Sequence, residues 1–138
     1  RSSQRLAPKF TTYIPGNPFL QNRKFCSNPI QSQKKYESFD SLLKEGTKGD
    51  PVIQFQVAMC YYFGDGVDQN KKLAVDWLHS AAKQELSIAQ FNLGLCYQEG
   101  EGVNQDDKQA LALLVKSAAQ DYPAAQFNLS ARYKEGYG

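Results

Sequence analysis

A block of the chain recurs after a fixed interval of 36 residues, and this interval constrains the fold more than any other feature. Residues 51–86 and 87–122 align without a gap and share 13 identical positions. A third copy begins at residue 123 and runs to the end of the sequence at residue 138. Such a repeat predicts a stacked array in which each unit buries its apolar surface against the next, and these arrays commonly display a binding surface.

Each repeat has the pattern of two helices joined by a glycine turn. In the first copy, Asp50 can cap a helix and Pro51 can open it. Apolar residues follow at the three- and four-residue intervals of one helix face, up to about Phe63. Gly64 ends this helix, and Asn70 can cap a second one over residues 71–84.

The second copy repeats this pattern, with helices predicted over residues 88–99 and 107–120, and Pro123 opens another. The sequence therefore predicts an all-α fold, a right-handed α-α superhelix or solenoid of helix-turn-helix repeats. The expected structural positions are those that recur or that are small or aromatic at packing sites: Tyr61, Gly64, Gly66, Ala74, Trp77, Ala82, Tyr97, Gly100, Gly102, Ala110 and Ala118.

These residues resemble the Sel-one-like repeat, a helix-turn-helix unit related to the tetratricopeptide repeat. The resemblance covers residues 51–138 and includes the Gly-x-Gly-Val turn in both complete copies. It implies an adaptor, because family members generally assemble membrane, quality-control or mitochondrial complexes. The expected organisation is a first repeat at 51–86, a second at 87–122 and a partial third at 123–138. Because the sequence stops inside a repeat, we expect the natural protein to continue.

The segment before the repeats has a different composition. Residues 1–35 carry seven Arg or Lys and no acidic residue, whereas residues 36–138 carry nine basic and fourteen acidic residues. The first segment is predicted to be a disordered basic arm. Residues 36–49 are predicted to form a degenerate capping helix, over about 36–44, and a linker.

The arm has the composition of a mitochondrial transit segment, with a candidate cleavage site near Phe25 or Cys26. This predicts a mitochondrial location, with a cytoplasmic one as the alternative. A rival interpretation keeps the arm attached, where its aromatic and basic residues bind an acidic partner or RNA. The acidic repeats themselves make nucleic acid an unfavoured ligand. No apolar run is long enough to span a membrane, so no membrane insertion is expected.

The cysteines and the single histidine give no catalytic or metal pattern. Cys60 and Cys96 occupy equivalent positions, so one repeat spacing separates them and they are expected to be reduced, buried thiols. His79 has no Cys, Asp or Glu constellation beside it and is expected to be structural or to lie at the surface. We therefore predict no catalytic residue, no metal, no cofactor and no small-molecule substrate.

Positions at which the repeats differ are the best candidates for partner contact, because identical positions are explained by the fold. Tyr62 and Phe63 in the first copy become Gln98 and Glu99 in the second. Adjacent aromatic residues are typical of interface anchors. The alternative is that Tyr62 and Phe63 pack against the N-terminal helix.

The sequence as a whole predicts a non-enzymatic scaffold that binds other proteins and helps to assemble or regulate a multiprotein complex. One alternative is a signalling adaptor whose repeats are fused to a catalytic domain outside this sequence. Another is a repeat-based hydrolase or ligand-binding enzyme, which would need an acid–base set that the sequence does not show.

Overall fold

Every regular element in the computed structural model, which describes residues 38–136, is an α-helix. The helices of this range, in chain order, are α1 (Phe39–Gly46), α2 (Pro51–Phe63), α3 (Lys71–Lys83), α4 (Ser87–Glu99), α5 (Asp107–Ala119) and α6 (Pro123–Lys134). The predicted all-α helical-repeat solenoid is confirmed. Helices α2 and α3 fall in the first repeat, α4 and α5 in the second, and α6 opens the third.

Side chains that cap the helices explain where α2, α3 and α5 begin. The carboxylate of Asp50 accepts from the backbone N–H of Val52 at 2.8 Å. Asn70 Oδ1 accepts from Leu73 N at 3.0 Å, and Asp106 Oδ1 from Lys108 N at 3.1 Å. Each cap satisfies a backbone donor that the first helical turn leaves without an intrahelical partner. The caps predicted at Asp50 and Asn70 are therefore present, and Asp106 caps α5 in the same way.

The glycine turns close α2 and α4 in the same way. Gly64 and Gly100 have φ of 73° and 72°, in the left-handed region that favours glycine. Their N–H groups donate to the carbonyl oxygens of Cys60 and Cys96, both at 2.8 Å. Because this geometry satisfies carbonyls at the helix end and turns the chain back, the next helix can pack antiparallel to the one before it.

Helices α2 and α4 are buried around most of their circumference. Of their 13 residues each, nine of α2 and eight of α4 are buried, against five of α3 and three of α5. Helix α2 packs against α1 and α3, and α4 packs against α3 and α5. We call α2, α4 and α6 the first-helix layer, and α3 and α5 the second-helix layer.

Large and small side chains alternate in the core. Phe55 and Phe91 are fully buried at equivalent positions, and so are Ala74 and Ala110. The alanines are small enough for neighbouring helices to approach closely. Trp77 is half-buried and packs against both the main core and the smaller cluster around α1.

A ladder of glutamine side chains ties each repeat to the helix before it. The amide Nε2 groups of Gln54, Gln90 and Gln126 donate, at 3.4, 3.4 and 3.2 Å, to the carbonyl oxygens of Gly46, Ala82 and Ala118. Within each complete repeat, a second glutamine donates back to the first, from Gln84 to Gln54 at 2.9 Å and from Gln120 to Gln90 at 2.8 Å. These bonds satisfy amides that the close packing would otherwise leave without partners.

The N-terminal helix α1 covers one side of α2. Phe39 and Leu42 are buried against it and form a small separate cluster with Ile53 and Val57. The helix was predicted over residues 36–44 but is observed from Phe39 to Gly46, because Ser38 provides its cap by accepting from Ser41 N. The predicted arm, residues 1–35, lies outside the described residues.

Candidate functional site

The two aromatic residues predicted as a partner anchor lie at the end of α2 and differ in accessibility. Tyr62 is 5% exposed and Phe63 is half-buried. Their rings meet edge to face, with centroids 4.9 Å apart. The ammonium group of Lys71 lies 5.1 Å above the Tyr62 ring. Tyr62 therefore belongs to the main core and supports the ring of Phe63.

The residue that packs on the N-terminal helix is the preceding one. The ring of Tyr61 meets that of Phe39 edge to face, with centroids 5.1 Å apart. Tyr62 and Phe63 instead pack with the main core cluster. The alternative prediction placed Tyr62 and Phe63 against the N-terminal helix. The ring that contacts this helix is that of Tyr61.

The equivalent positions at the end of α4 carry polar groups that form one network. Gln98 Nε2 donates to Glu99 Oε2 at 3.0 Å, and Gln98 Oε1 accepts from Arg132 Nη1 at 3.0 Å. Arg132 Nη2 also lies 3.2 Å from Asp107 Oδ2. The network connects α4 to α6 and to the start of α5. It fixes Gln98 between an acidic and a basic side chain.

Arg132 and Asp107 are site residues that the sequence reasoning missed. The side chain of Arg132 is 9% exposed and that of Asp107 is 60% exposed, so a buried guanidinium pairs with a surface carboxylate. The sequence contained a signal for them. Arg132 stands where the earlier repeats have Cys60 and Cys96, which is the same kind of mismatch that selected Gln98 and Glu99.

This network forms one wall of a cavity of about 440 Å³ between α4 and α6. We call it the α4–α6 cavity, and its lining residues are Gln98, Glu99, Gln105, Asp107, Phe127, Asn128, Ala131, Arg132 and Glu135. Phe127, although equivalent to the fully buried Phe55 and Phe91, is 57% exposed. The cavity thus brings together both predicted polar contact residues, an accessible aromatic ring and three carboxylates.

The corresponding contact between the first and second repeats has a different chemistry. Lys71 Nζ lies 2.6 Å from Glu101 Oε1, and both side chains are about one third exposed, at 38% and 31%. Gly102 lies directly against the start of α3, where a Cβ atom would overlap the backbone oxygen of Lys71. This contact therefore consists of a tight backbone approach and an ion pair that is about one third exposed.

His79 and Tyr97 connect α3 to α4 on the other side of the helices. His79 Nε2 lies 3.0 Å from the Tyr97 hydroxyl. Burial lowers the pKa of His79, Asp76 opposes that effect, and Lys83 adds to it. Burial also raises the pKa of Tyr97. Both groups are therefore neutral near pH 7 and their bond is structural, as predicted for His79.

The two cysteines of the described range differ. Cys96 is free and fully buried, and burial raises the pKa of its thiol, so it is the inert buried thiol that was expected. Cys60 is also buried but is disulfide-bonded. The prediction of a reduced Cys60 is wrong. The repeat spacing argues only against a bond between Cys60 and Cys96, and does not address a cysteine outside the repeats.

Within residues 38–136, no group of three or more His, Cys, Asp or Glu side chains is placed to hold a metal ion. In the same part of the chain, no helix has both the length and the apolar character needed to cross a bilayer.

The helices, turns and inter-repeat ladder define a helical-repeat solenoid, a class built from stacked helix-turn-helix units. The model of the Sel1 repeat matches residues 52–86, 87–122 and 123–138. The chain belongs to the Sel1 repeat family. Sel1 repeat proteins generally act as scaffolds for protein–protein interaction and are typically non-catalytic.

Two solved structures show how far the likeness extends. The Sel1 repeat protein from Oxalobacter formigenes is 35% identical over 70% of this chain and 73% of its own, with a TM-score of 0.64. The protective antigen c5321 of uropathogenic Escherichia coli, described as having an SLR fold, is 24% identical, with a TM-score of 0.71. This second match covers 83% of this chain and 26% of that one, and it shows the fold alone. No curated protein matches the chain.

Proposed function

We propose that this protein is a scaffold that helps to assemble or regulate a multiprotein complex, and that it binds partners on its first-helix layer. The observation that carries the proposal is the contrast at the ends of α2 and α4. The turn and core residues recur there, whereas Tyr62 and Phe63 are replaced by Gln98 and Glu99. A position that changes chemistry while the fold around it is kept is available for recognition.

Each candidate has a separate role in the proposal. Phe63 supplies apolar contact area, and Tyr62 holds its ring in place from the core. Gln98 and Glu99 supply an amide and a carboxylate beside the α4–α6 cavity. A scaffold is favoured over an enzyme because the groups with catalytic potential have structural roles: His79 bonds to Tyr97, and burial disfavours the thiolate of Cys96.

Affinity purification with mass spectrometry tests this proposal. Residues 1–138 are tagged in cells that express the protein, as wild type and as a variant with Phe63→Ala, Gln98→Ala and Glu99→Ala. Tyr62 is left intact because its removal would open the core. We expect the variant to lose the partners that the wild type captures, while a cooperative helical melting transition shows that it still folds.

A second variant provides the control. Leu73→Ala and Val115→Ala remove exposed apolar side chains, 37% and 44% exposed, from the second-helix layer. This variant is expected to retain the partners. Equal loss of partners in both variants, with both folds intact, would contradict binding on the first-helix layer.

We further propose a mitochondrial location, which rests on the basic, acid-free composition of residues 1–35. A fluorescent protein fused to residues 1–40 is expected to enter mitochondria. The same fusion with the arm's seven Arg and Lys residues replaced by Gln is expected to stay in the cytoplasm. Cytoplasmic fluorescence of the unaltered fusion would refute the proposal and favour the cytoplasmic alternative.

A further inference from the structure

We infer that the groove between α3 and α5 binds an extended segment of a partner protein and holds an acidic side chain of that segment between Lys83 and Lys116. We call it the α3–α5 groove. The inference rests on the proposed scaffold function and adds a second contact surface together with the chemistry of the partner. The charge and size of the groove, its contrast with the first repeat, and the composition of residues 1–35 support it.

The lining of the groove has an excess of positive charge at one end. A cavity of about 170 Å³, which we call the basic cavity, is lined there by Lys83 of α3 and Lys116 of α5, and none of the described carboxylates lines it. Both lysines are exposed, and within residues 38–136 neither forms an ion pair. His79 also lines the cavity and is neutral near pH 7, because burial lowers its pKa. The lining therefore has a net charge of +2 from its two lysines.

The carboxylates beside the groove do not cancel this charge. Glu85 contacts the lining residue Gln90, whose Nε2 donates to Glu85 Oε1 at 3.1 Å. Asp76 lines an adjoining cavity together with Lys72, which contributes the opposite charge. The two ammonium groups of the basic cavity are thus left to pair with a carboxylate from another molecule.

The basic cavity differs in sign from the rest of the repeats. Residues 38–136 contain nine basic and thirteen acidic side chains, a net charge of −4. Most of this surface repels an acidic segment, whereas the basic cavity attracts it. Like-charge repulsion outside a site and attraction within it fix where a charged partner binds.

The size of the groove suits an extended peptide. The basic cavity is smaller than typical sites for small molecules, which enclose about 300–1,000 Å³. His79 lines both this cavity and the adjoining one, which has a volume of about 450 Å³ and lies between α3 and residues 102–104. The two cavities follow α3 from Lys72 to Lys83, which is about 16 Å along the helix axis. About five residues of extended chain cover this distance.

The groups in the basic cavity suit a glutamate side chain. The exposed amide of Gln109, in the first turn of α5, adds a hydrogen-bond donor to those of Lys83 and Lys116. Leu93 and Leu113 provide apolar surface for the methylene groups of the stem. A basic side chain placed here would meet two like charges.

The equivalent positions of the first repeat have a different chemistry. Leu113 and Lys116 correspond to Trp77 and Ser80. The indole of Trp77 packs against the α1 cluster, where a Cβ atom added to Gly46 would lie 3.3 Å from the ring. The second repeat has a smaller side chain at this position, with the basic cavity beside it, and a lysine in place of the serine.

The helix dipole accounts for a lysine in each helix but not for the shared cavity. Lys83 and Lys116 lie in the last turns of α3 and α5, where the dipole favours a positive charge. Lys44 and Lys134 lie in the last turns of α1 and α6, yet neither belongs to the lining of the groove. This second pair therefore provides a matched control.

The composition of residues 1–35 argues against the chain's own first segment as the occupant. This segment carries seven Arg or Lys and no acidic residue. It would bring further positive charges to Lys83 and Lys116 and no carboxylate. The acidic side chain is therefore assigned to a different protein.

Peptide binding to the full chain of residues 1–138 tests the inference, with fluorescence anisotropy as the readout. The probe is a rhodamine-labelled Gly-Ser peptide of about eight residues that carries three glutamates. Two matched peptides carry glutamine, which keeps the size without the charge, or lysine. We expect the glutamate peptide to bind at least about tenfold more tightly than either, and to weaken as salt is raised.

Three variants locate the site. Lys83→Gln with Lys116→Gln is expected to weaken the glutamate peptide about tenfold. The control, Lys44→Gln with Lys134→Gln, makes the same change in charge and is expected to alter binding less than about twofold. Leu113→Trp places in the second repeat the ring that the first repeat has, and is expected to weaken binding by filling the cavity. Thermal melting of each variant confirms that the fold is kept.

A further variant separates the groove from residues 1–35, whose positive charge also attracts the probe. Its seven Arg and Lys residues in that segment are replaced with Gln. We expect the glutamate peptide to bind this variant and to be weakened there by the change at Lys83 and Lys116. The inference is overturned if this variant does not bind the peptide, if the glutamine peptide binds as well, or if the two lysine pairs weaken binding equally.

A second copy of the chain also carries acidic side chains, and sedimentation velocity tests it as the occupant. We expect the wild type and the Lys83→Gln, Lys116→Gln variant to sediment alike. Self-association of the wild type that this variant loses would make a second copy the occupant, and the inference of a different protein would be wrong.

The outcome for the first-helix layer stays separate, because Leu73 and Val115, the control positions used there, are outside the lining of the groove. Partner capture that is lost in the Phe63, Gln98 and Glu99 variant but normal after the change at both groove lysines would keep the first-helix layer and reject the groove. The reverse result would keep the groove and reject binding on the first-helix layer.

Discussion

The molecule forms the same junction between repeats twice, with two different chemistries. At the first junction, between residues 51–86 and 87–122, Gly102 lies directly against the backbone of Lys71, whose ammonium group pairs with Glu101. At the second, between residues 87–122 and 123–138, Arg132, Gln98 and Asp107 form a polar network beside an open cavity. Both junctions are formed by α-helices of similar length in the same order.

This difference separates what maintains the fold from what is available for recognition. Alanines, glycines and glutamines at recurring positions fix the stacking at both junctions. The positions that differ give each junction its own chemistry. The first junction has a cavity of about 450 Å³ between α3 and residues 102–104, and the second has a charged cavity of about 440 Å³ between α4 and α6.

The largest effect is expected from Gly102→Ala at the first junction. The new Cβ would overlap the backbone oxygen of Lys71, and the residue has a φ of 74°. Together these should lower the free energy of unfolding by about 2–4 kcal/mol in chemical denaturation. Gly136→Ala is the control, since its φ of 87° is also positive but no atom lies near the added Cβ, and it should cost about 1 kcal/mol. Equal losses would show that the backbone contact is not tight.

The glutamine ladder should be stronger at the first junction than at the second. Gln90 is 1% exposed and its oxygen accepts from Gln120, so Gln90→Met leaves buried polar groups without partners and should cost about 1–2 kcal/mol. Gln126 is exposed, and Gln126→Met should cost about 0.5 kcal/mol or less. The midpoints of denaturant unfolding curves measure both losses, provided that the slopes of the curves stay unchanged. A larger loss for Gln126→Met would reverse the proposed order.

The ion pair at the second junction should be stronger than the ion pair at the first. A double-mutant cycle on Arg132→Gln and Asp107→Asn should give a coupling of about 1 kcal/mol, because the guanidinium is 9% exposed. The cycle on Lys71→Gln and Glu101→Gln should give about 0.5 kcal/mol or less, because water screens both groups. Equal couplings would indicate that burial of Arg132 does not strengthen its pair.

The smallest effect is expected from His79, which supports the first junction through Tyr97. Since its pKa is lowered in the folded protein, the unfolded chain takes up the proton first as pH falls below about 6.5. This contribution to stability is present above that pH and is lost as the pH falls toward the folded pKa. The melting temperature of the wild type should therefore fall more between pH 7.5 and 5.5 than that of His79→Gln. An equal fall in melting temperature for the wild type and His79→Gln would exclude His79 as the cause of the pH dependence.

The sequence predicted most of the backbone, because local signals determine it. The observed ends of α2 to α5 lie within one residue of the predicted ends, since Asp50, Asn70, Asp106 and the glycine turns act within a few residues. The start of α1 was misplaced because this helix lies outside the repeat and is fixed by Ser38.

Contacts between repeats were harder to predict because they join residues distant in sequence. Gln54 and Gln84 were recognised as recurring residues, but the hydrogen bond between them depends on how two helices pack. Arg132 appeared as an ordinary basic residue near the end of the chain, and only the fold places it against Asp107. The pairing of Cys60 was missed because the spacing argument considered the repeats alone.

Photo-crosslinking in cells tests most directly whether partners bind the first-helix layer at the second junction. The photoreactive analogue p-benzoylphenylalanine replaces Phe127, which lines the α4–α6 cavity, or Val115, which is 44% exposed on the second-helix layer. We predict a light-dependent adduct of discrete mass with another protein from position 127 and none from position 115. Adducts from position 115 alone, or equally from both positions, would contradict the account.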